Sequence, residues 1–171
     1  MEHEVFFTND CKLQLINLNE EAQRKLFKNF VKPIKNGLNP NELEGKYKPS
    51  WEMSFINTPM KQAFVEQAKS ESLHHYHFGF RYYRDGKDVN YFGKVSDGIV
   101  HIKQNSILKN VEHIIFDICL EHPSPFKVPF LKDKISWKIT KILFWSDEIA
   151  QVNYTLLTLV TRIVTHTHNK H

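Results

Sequence analysis

The stretch Leu73 to Ile102, LHHYHFGFRYYRDGKDVNYFGKVSDGIVHI, constrains the fold more than any other part of this chain. From Leu73 to Tyr83 the residues alternate with period two. An extended backbone therefore puts His75, His77, Gly79, Arg81 and Tyr83 on one face, and His74, Tyr76, Phe78, Phe80 and Tyr82 on the other. The aromatic row suits packing against a helix and is assigned to the core. The opposite row sets two imidazoles one pleat apart with a guanidinium beyond them, a plausible place to hold and hydrolyse something anionic. Against that stands a plainer reading, in which the histidines are solvated residues on the open face of an antiparallel sheet. Two later segments alternate as well. DGIVHIK puts Asp97, Ile99, His101 and Lys103 on one face. In VEHIIFDICLEH, Ile114, Phe116, Ile118 and Leu120 share a face opposite His113, Asp117, Cys119 and Glu121. Three such strands predict an antiparallel meander with one apolar side.

Helical signals flank the meander, so the expected class is α+β: a small antiparallel sheet packed against N-terminal and C-terminal helices. Asn19 precedes Glu20 and Glu21 as an N-cap, with basic residues toward the other end, and Ala22, Leu26, Phe30 and either Phe27 or Val31 form an apolar stripe. Pro33 is expected to end or kink this helix. Before it, EVFFT reads as a short strand followed by turn formers Asn9 and Asp10. Residues 38–60 read as an irregular connection in which Trp51, Met53 and Phe55 make a short edge strand or cap the core, and PMKQAFVEQAKSES as a short helix. From Lys132 to Phe144 neither period dominates. DEIAQVNYTLLTLVTRIVTH then has the broad apolar face of a helix, and THTHNKH reads as a frayed tail.

At 171 residues the chain is expected to form a single domain over 1–171, with a core region of about 20–130 and a helical extension of about 145–166. Lys and Arg number 23 against 19 Asp and Glu, and this basic bias fits nucleic acid without demanding it. Cys11 and Cys119 follow no CxxC pattern, and no leader-like or 18-residue apolar stretch occurs. The expectation is a cytoplasmic protein with reduced thiols, no membrane contact and no cofactor.

The loop RDGKDVNYFGK interleaves Arg84, Lys87 and Lys94 with Tyr91 and Phe92, as a groove for single-stranded nucleic acid would, since phosphates need cations and bases stack on rings. An ordinary hairpin loop has much the same composition. Pro123 and Pro125 stop the third strand and bring His122 and Lys127 to its end. Neither a phosphate-binding glycine loop nor a nucleophile elbow is present.

The His-x-His strand at His75 to His77, the strand SDGIVHI with His101, and the closing turn PSPFK at Pro123 to Lys127 together resemble the YafO family of toxins from bacterial toxin–antitoxin systems. NGLNP and the GKY at Gly45 to Tyr47 sit where that family has a helix end and a glycine-containing connection. The resemblance spans roughly residues 20–130. It implies a RelE-like, metal-independent endoribonuclease that cleaves mRNA on the ribosome, inhibits translation and is neutralised by a cognate antitoxin. Metal-independent cleavage needs a base, a cation and an acid. On that reading His75, His77, Arg81 and His101 are the catalytic set, with His75 and His77 or His101 handling protons. Arg84, Lys87, Lys94, Lys127 and Tyr83 would contact RNA, with Arg81 and Lys127 neutralising the phosphate.

Two other classes compete. His75, His77, His101 and His122 could supply imidazole ligands to a metal-dependent hydrolase, although no acidic residue falls at a characteristic spacing and no metal site is expected. Alternatively, the basic face and aromatic loop only bind RNA or a protein. The apolar C-terminal helix offers a surface for an antitoxin or a homodimer, or it packs on its own core.

Overall fold

The computed structural model describes residues 2–52, 58–122 and 139–140. Their elements belong to a compact unit, Met1–Lys141. Lys127, the Pro123–Pro125 turn and the helix expected at 145–166 lie outside the described residues.

The class is α+β, with helices packed on a mostly antiparallel sheet. In chain order the elements begin with strand β1 (Glu2–Thr8), helix α1 (Asn9–Asn17) and helix α2 (Glu20–Leu26). The chain then winds through a wide π-helical turn, Phe27–Val31, into α3 (Lys32–Lys35). Strand β2 (Tyr47–Pro49), helix α4 (Pro59–Ser70), β3 (Leu73–His77), β4 (Ile99–Ile107), β5 (Asn110–Cys119) and β6 (Ile139–Thr140) follow. The sheet order is β2-β3-β4-β5-β1-β6. The meander β3-β4-β5 is the expected one. Beside it β1 pairs with β5 in parallel, Glu2 opposite Asn110 through Phe7 opposite Ile115. No helix among the described residues is long and apolar enough to cross a membrane.

Local chemistry explains where the expectations shift. Asn9 and Asp10 open a helix rather than a turn, because the Thr8 hydroxyl caps it by accepting from Cys11 N–H and Asp10 lies at the positive end of the helix. Pro33 neither ends nor sharply stops its helix. It has no N–H for the Asn29 carbonyl four residues back, and the chain widens into the π turn there, with Lys32 N–H bonded to Phe27 O. The Asn29 carbonyl accepts from the Tyr76 hydroxyl at 2.9 Å instead, and Asn29 Nδ2 donates to Phe78 O at 2.9 Å. A proline thus creates the staple that docks the helix on β3. Phe30 packs on Tyr76, with ring centroids 4.9 Å apart, and Phe27 on Phe7 at 6.3 Å. Ala22, Leu26, Phe30, Val31 and Ile34 are buried, as the stripe requires. An edge strand occurs at Tyr47–Pro49, with its proline where no ladder donor is needed, and the reading of Trp51, Met53 and Phe55 as an edge strand or a cap on the core falls largely on residues outside the described ones. Residues 53–57 lie outside the described ones.

The histidine strand is shorter than its alternation. Gly79 takes a φ of +79°, and a Cβ there would stand 2.6 Å from the Tyr83 ring, so the chain leaves the sheet after His77. Arg81 and Tyr83 therefore do not continue the His75–His77 row.

Candidate active site

Residues directly opposite one another in a sheet share a face, so register alone assembles the site. Lys48 pairs with His75, His75 with His101, and His101 with Asp117. A cation, two imidazoles and a carboxylate thus form one row across β2, β3, β4 and β5. The next row runs from His77 through Ile99 to Cys119. Lys46 meets it at the edge, where its carbonyl accepts from His77 N–H at 3.1 Å.

A β-bulge makes this possible. His101 faces Asp117 while Ile102 faces Ile115, which leaves Phe116 as the extra residue on β5. Strict alternation would put His113, Asp117 and Cys119 on one face. The bulge instead turns Asp117 and Cys119 toward His101 and leaves His113 on the helix-covered face, edge-on to Phe30 at 6.2 Å. Beyond Ile115 strand β5 has lost its β1 partner, and Gln14 from α1 takes over: its Oε1 accepts from Ile118 N–H at 3.0 Å and its Nε2 donates to Asp117 Oδ1 at 2.7 Å.

The imidazoles are buried, not solvated. His75, His77 and His101 are all closed off from bulk water, so the plainer reading of solvated residues on an open sheet face does not hold for them. His75 Nδ1 lies 3.2 Å from Ser50 Oγ. His77 Nδ1 lies 3.0 Å from Ser96 N and 2.9 Å from Ser96 O, so the ring tautomer decides which of the two it bonds. His122 stacks on His77 with centroids 5.2 Å apart and the planes 5° from parallel. Burial pushes His77 down to about 4, the Ser96 carbonyl opposing and His122, Lys46 and Arg84 adding to the drop. Burial likewise holds His75 well below its usual range, helped by His77, His101, His122 and Lys48, and it lowers His101 against the pull of Asp117. At neutral pH these rings are uncharged proton acceptors. Burial and Asp117 push the Cys119 thiol up to about 12.

The loop after β3 returns over the edge of this face. Lys46 Nζ donates to Asp88 O at 2.9 Å, Lys48 forms an ion pair with the Asp88 carboxylate, and the Lys48 ammonium lies 5.2 Å from the Tyr91 ring centroid. Asp88 thus engages both cations, Lys48 through its carboxylate and Lys46 through its main-chain carbonyl.

Of the residues singled out from the sequence, His75, His77 and His101 come together. Arg81, at a φ of +63°, turns outward to Asp97 at 3.4 Å and Glu121 at 3.6 Å, and Arg84 joins Asp97 at 3.0 Å. Lys94 pairs with Glu44 at 3.2 Å, and Lys87 is exposed. Tyr83 is half-buried, its hydroxyl 3.2 Å from His77 O and 3.3 Å from the Tyr76 hydroxyl, so it props the strand end. Lys46, Lys48, Ser50 and Asp117 were not singled out. The alternation of Lys46 and Lys48 in GKYKP was the available signal, whereas Asp117 depends on a bulge that periodicity does not show.

Comparison with known proteins gives no match among family models, curated proteins or solved structures.

Proposed function

We propose that this protein is an endoribonuclease toxin resembling the YafO family, which cleaves mRNA on the ribosome and is held in check by a cognate antitoxin. The observation that carries the reading is the row Lys48–His75–His101–Asp117, with Lys46 and His77 beside it. Cleavage without a metal deprotonates the ribose 2′-hydroxyl. The 2′-oxygen then attacks phosphorus, the bond to the 5′-oxygen breaks, and that oxygen leaves with a proton as a 2′,3′-cyclic phosphate forms. The rings of His75 and His77, kept neutral by burial, serve as proton acceptors. A phosphodiester bound between Lys46 and Lys48 displaces Asp88 and brings negative charge to the imidazoles. That charge raises their proton affinity, so that one ring returns the proton to the leaving oxygen. His101 lies one strand further from the lysines, against Asp117, and positions His75 from there. The RNA backbone runs past the exposed Lys87 and past Arg81, Arg84 and Lys94, which exchange their ion pairs with Asp97, Glu121 and Glu44 for phosphate.

Expression from a tightly repressed promoter tests the reading, with growth and primer extension followed on a translated and an untranslated copy of one mRNA. The expected result is growth arrest with cuts confined to the translated copy. Equal cutting of both copies would make it a free ribonuclease, and normal growth with intact mRNA would leave only RNA or protein binding.

A further inference from the structure

The bulge at Phe116 gathers three unlike donors, none of which accepts or returns a proton in the proposed cleavage. The His101 imidazole, an Asp117 carboxylate oxygen and the Cys119 sulfur all lie within 4.8 Å of one another. Cys119 Sγ donates to Asp117 Oδ2 at 3.1 Å, so a single proton now sits between two atoms that a cation would draw together. The other carboxylate oxygen is already fixed. Gln14 Nε2 holds Oδ1 at 2.7 Å, and Gln14 is itself locked by the Ile118 N–H. Oδ2 is left turned toward the thiol, the arrangement in which an outer shell orients a ligating carboxylate. All three donors stand on neighbouring strands, so binding would order little that is not already ordered. His101 is buried while Asp117 and Cys119 are half-buried, which leaves one side of the cluster approachable.

We propose that His101, Asp117 and Cys119 bind a borderline divalent transition-metal ion of the zinc type, with a fourth position open to water or an incoming ligand. The donor set is one nitrogen, one sulfur and one oxygen, which suits zinc or cobalt and not magnesium or calcium, whose ligands are oxygens. Binding replaces the S–H bond with a sulfur–metal bond and releases that proton to solvent, with no change of oxidation state. The ion links β4 to β5 across the bulge. It leaves Lys46, Lys48, His75 and His77 free for RNA, so this site does not rest on the ribonuclease reading.

Cobalt(II) titration of the full chain, purified without an affinity tag and with His166, His168 and His171 replaced by Gln, tests the proposal. A thiolate-to-cobalt charge-transfer band that saturates at one ion per chain and is displaced by zinc is the expected result. Cys119→Ser should abolish the band, and Gln14→Ala should weaken binding by roughly ten-fold or more. A chain with wild-type core residues that gives no such band overturns the site, whatever the variants do; so does a band that survives in folded Cys119→Ser. Growth arrest followed on the same proteins separates the two readings. Arrest without a band overturns the metal site alone, and a band without arrest supports the site while contradicting the toxin.

Discussion

At the scale of the residue, the site is governed by what surrounds each charge. Lys48 is paired with Asp88, and a bound phosphate must displace that carboxylate before it meets the ammonium. Asp88→Asn keeps the size and removes the competing charge, so it should tighten RNA binding several-fold and steepen its salt dependence. Filter binding at several salt concentrations checks this, and unchanged affinity would mean that Lys48 does not meet phosphate. His75 and His77 were legible in the sequence because strand alternation is local. Asp117 was not, since one extra residue at Phe116 reverses which face it joins. Arg81 was misplaced for a related reason: the alternation runs on to Tyr83 while the backbone turns at Gly79, where only the packing of Tyr83 shows that the strand must stop.

At the scale of the element, Pro33 and Tyr76 act as one device. Proline deprives the Asn29 carbonyl of its helical donor, and the Tyr76 hydroxyl supplies another from β3. Tyr76→Phe should therefore cost about 1–3 kcal/mol, the penalty for stranding a buried acceptor. In a Pro33→Ala background, where the backbone regains an N–H at that position, the same substitution should cost clearly less. A double-mutant cycle by urea denaturation measures the difference, and equal costs would show that the carbonyl is satisfied in some other way. Gly45 sets the neighbouring edge. A Cβ there would stand 1.8 Å from His77 O and 2.8 Å from the Tyr76 hydroxyl, so Gly45→Ala should push β2 off β3 and carry Lys46 and Lys48 away from the histidines. Loss of activity with a lowered Tm is expected, and a variant of full activity and unchanged Tm would contradict this packing. The helices α2 and α4 and the meander were legible from caps and periodicity, whereas α1 was read as a turn. The parallel pairing of β1 with β5 was not, because it joins segments over a hundred residues apart and leaves no mark in either one.

At the scale of the whole molecule, the interior carries titratable groups on both faces of the sheet. His77 lies on one face and His113 on the other, and burial holds each near 4 instead of the usual 6.5. His113 Nε2 meets His3 Nδ1 at 3.0 Å, while its Nδ1 has no hydrogen-bond partner among the described residues. Because the folded pKa values lie below the unfolded ones, the unfolded chain takes up protons first as the pH falls. Stability is thus full above about 6.5 and declines toward 4, by on the order of 3 kcal/mol for each ring. That is a sizeable part of the total for an ordinary domain. Tm should fall steeply between pH 6.5 and 4, and His113→Met should flatten the fall. A Tm that is level over this window would show that the rings are charged when folded.

The central claim is that buried neutral imidazoles beside two lysines cleave RNA rather than merely hold it. The most direct measurement compares wild type with His77→Asn, whose amide keeps a hydrogen bond to Ser96 but cannot relay a proton, on translating ribosomes programmed with a defined mRNA. Cleavage rate and mRNA binding are read from the same reactions. The account predicts a cleavage rate lower by about 100-fold or more with binding nearly unchanged. A folded His77→Asn protein that cuts at the wild-type rate, or one whose cutting and binding weaken in parallel, would contradict it.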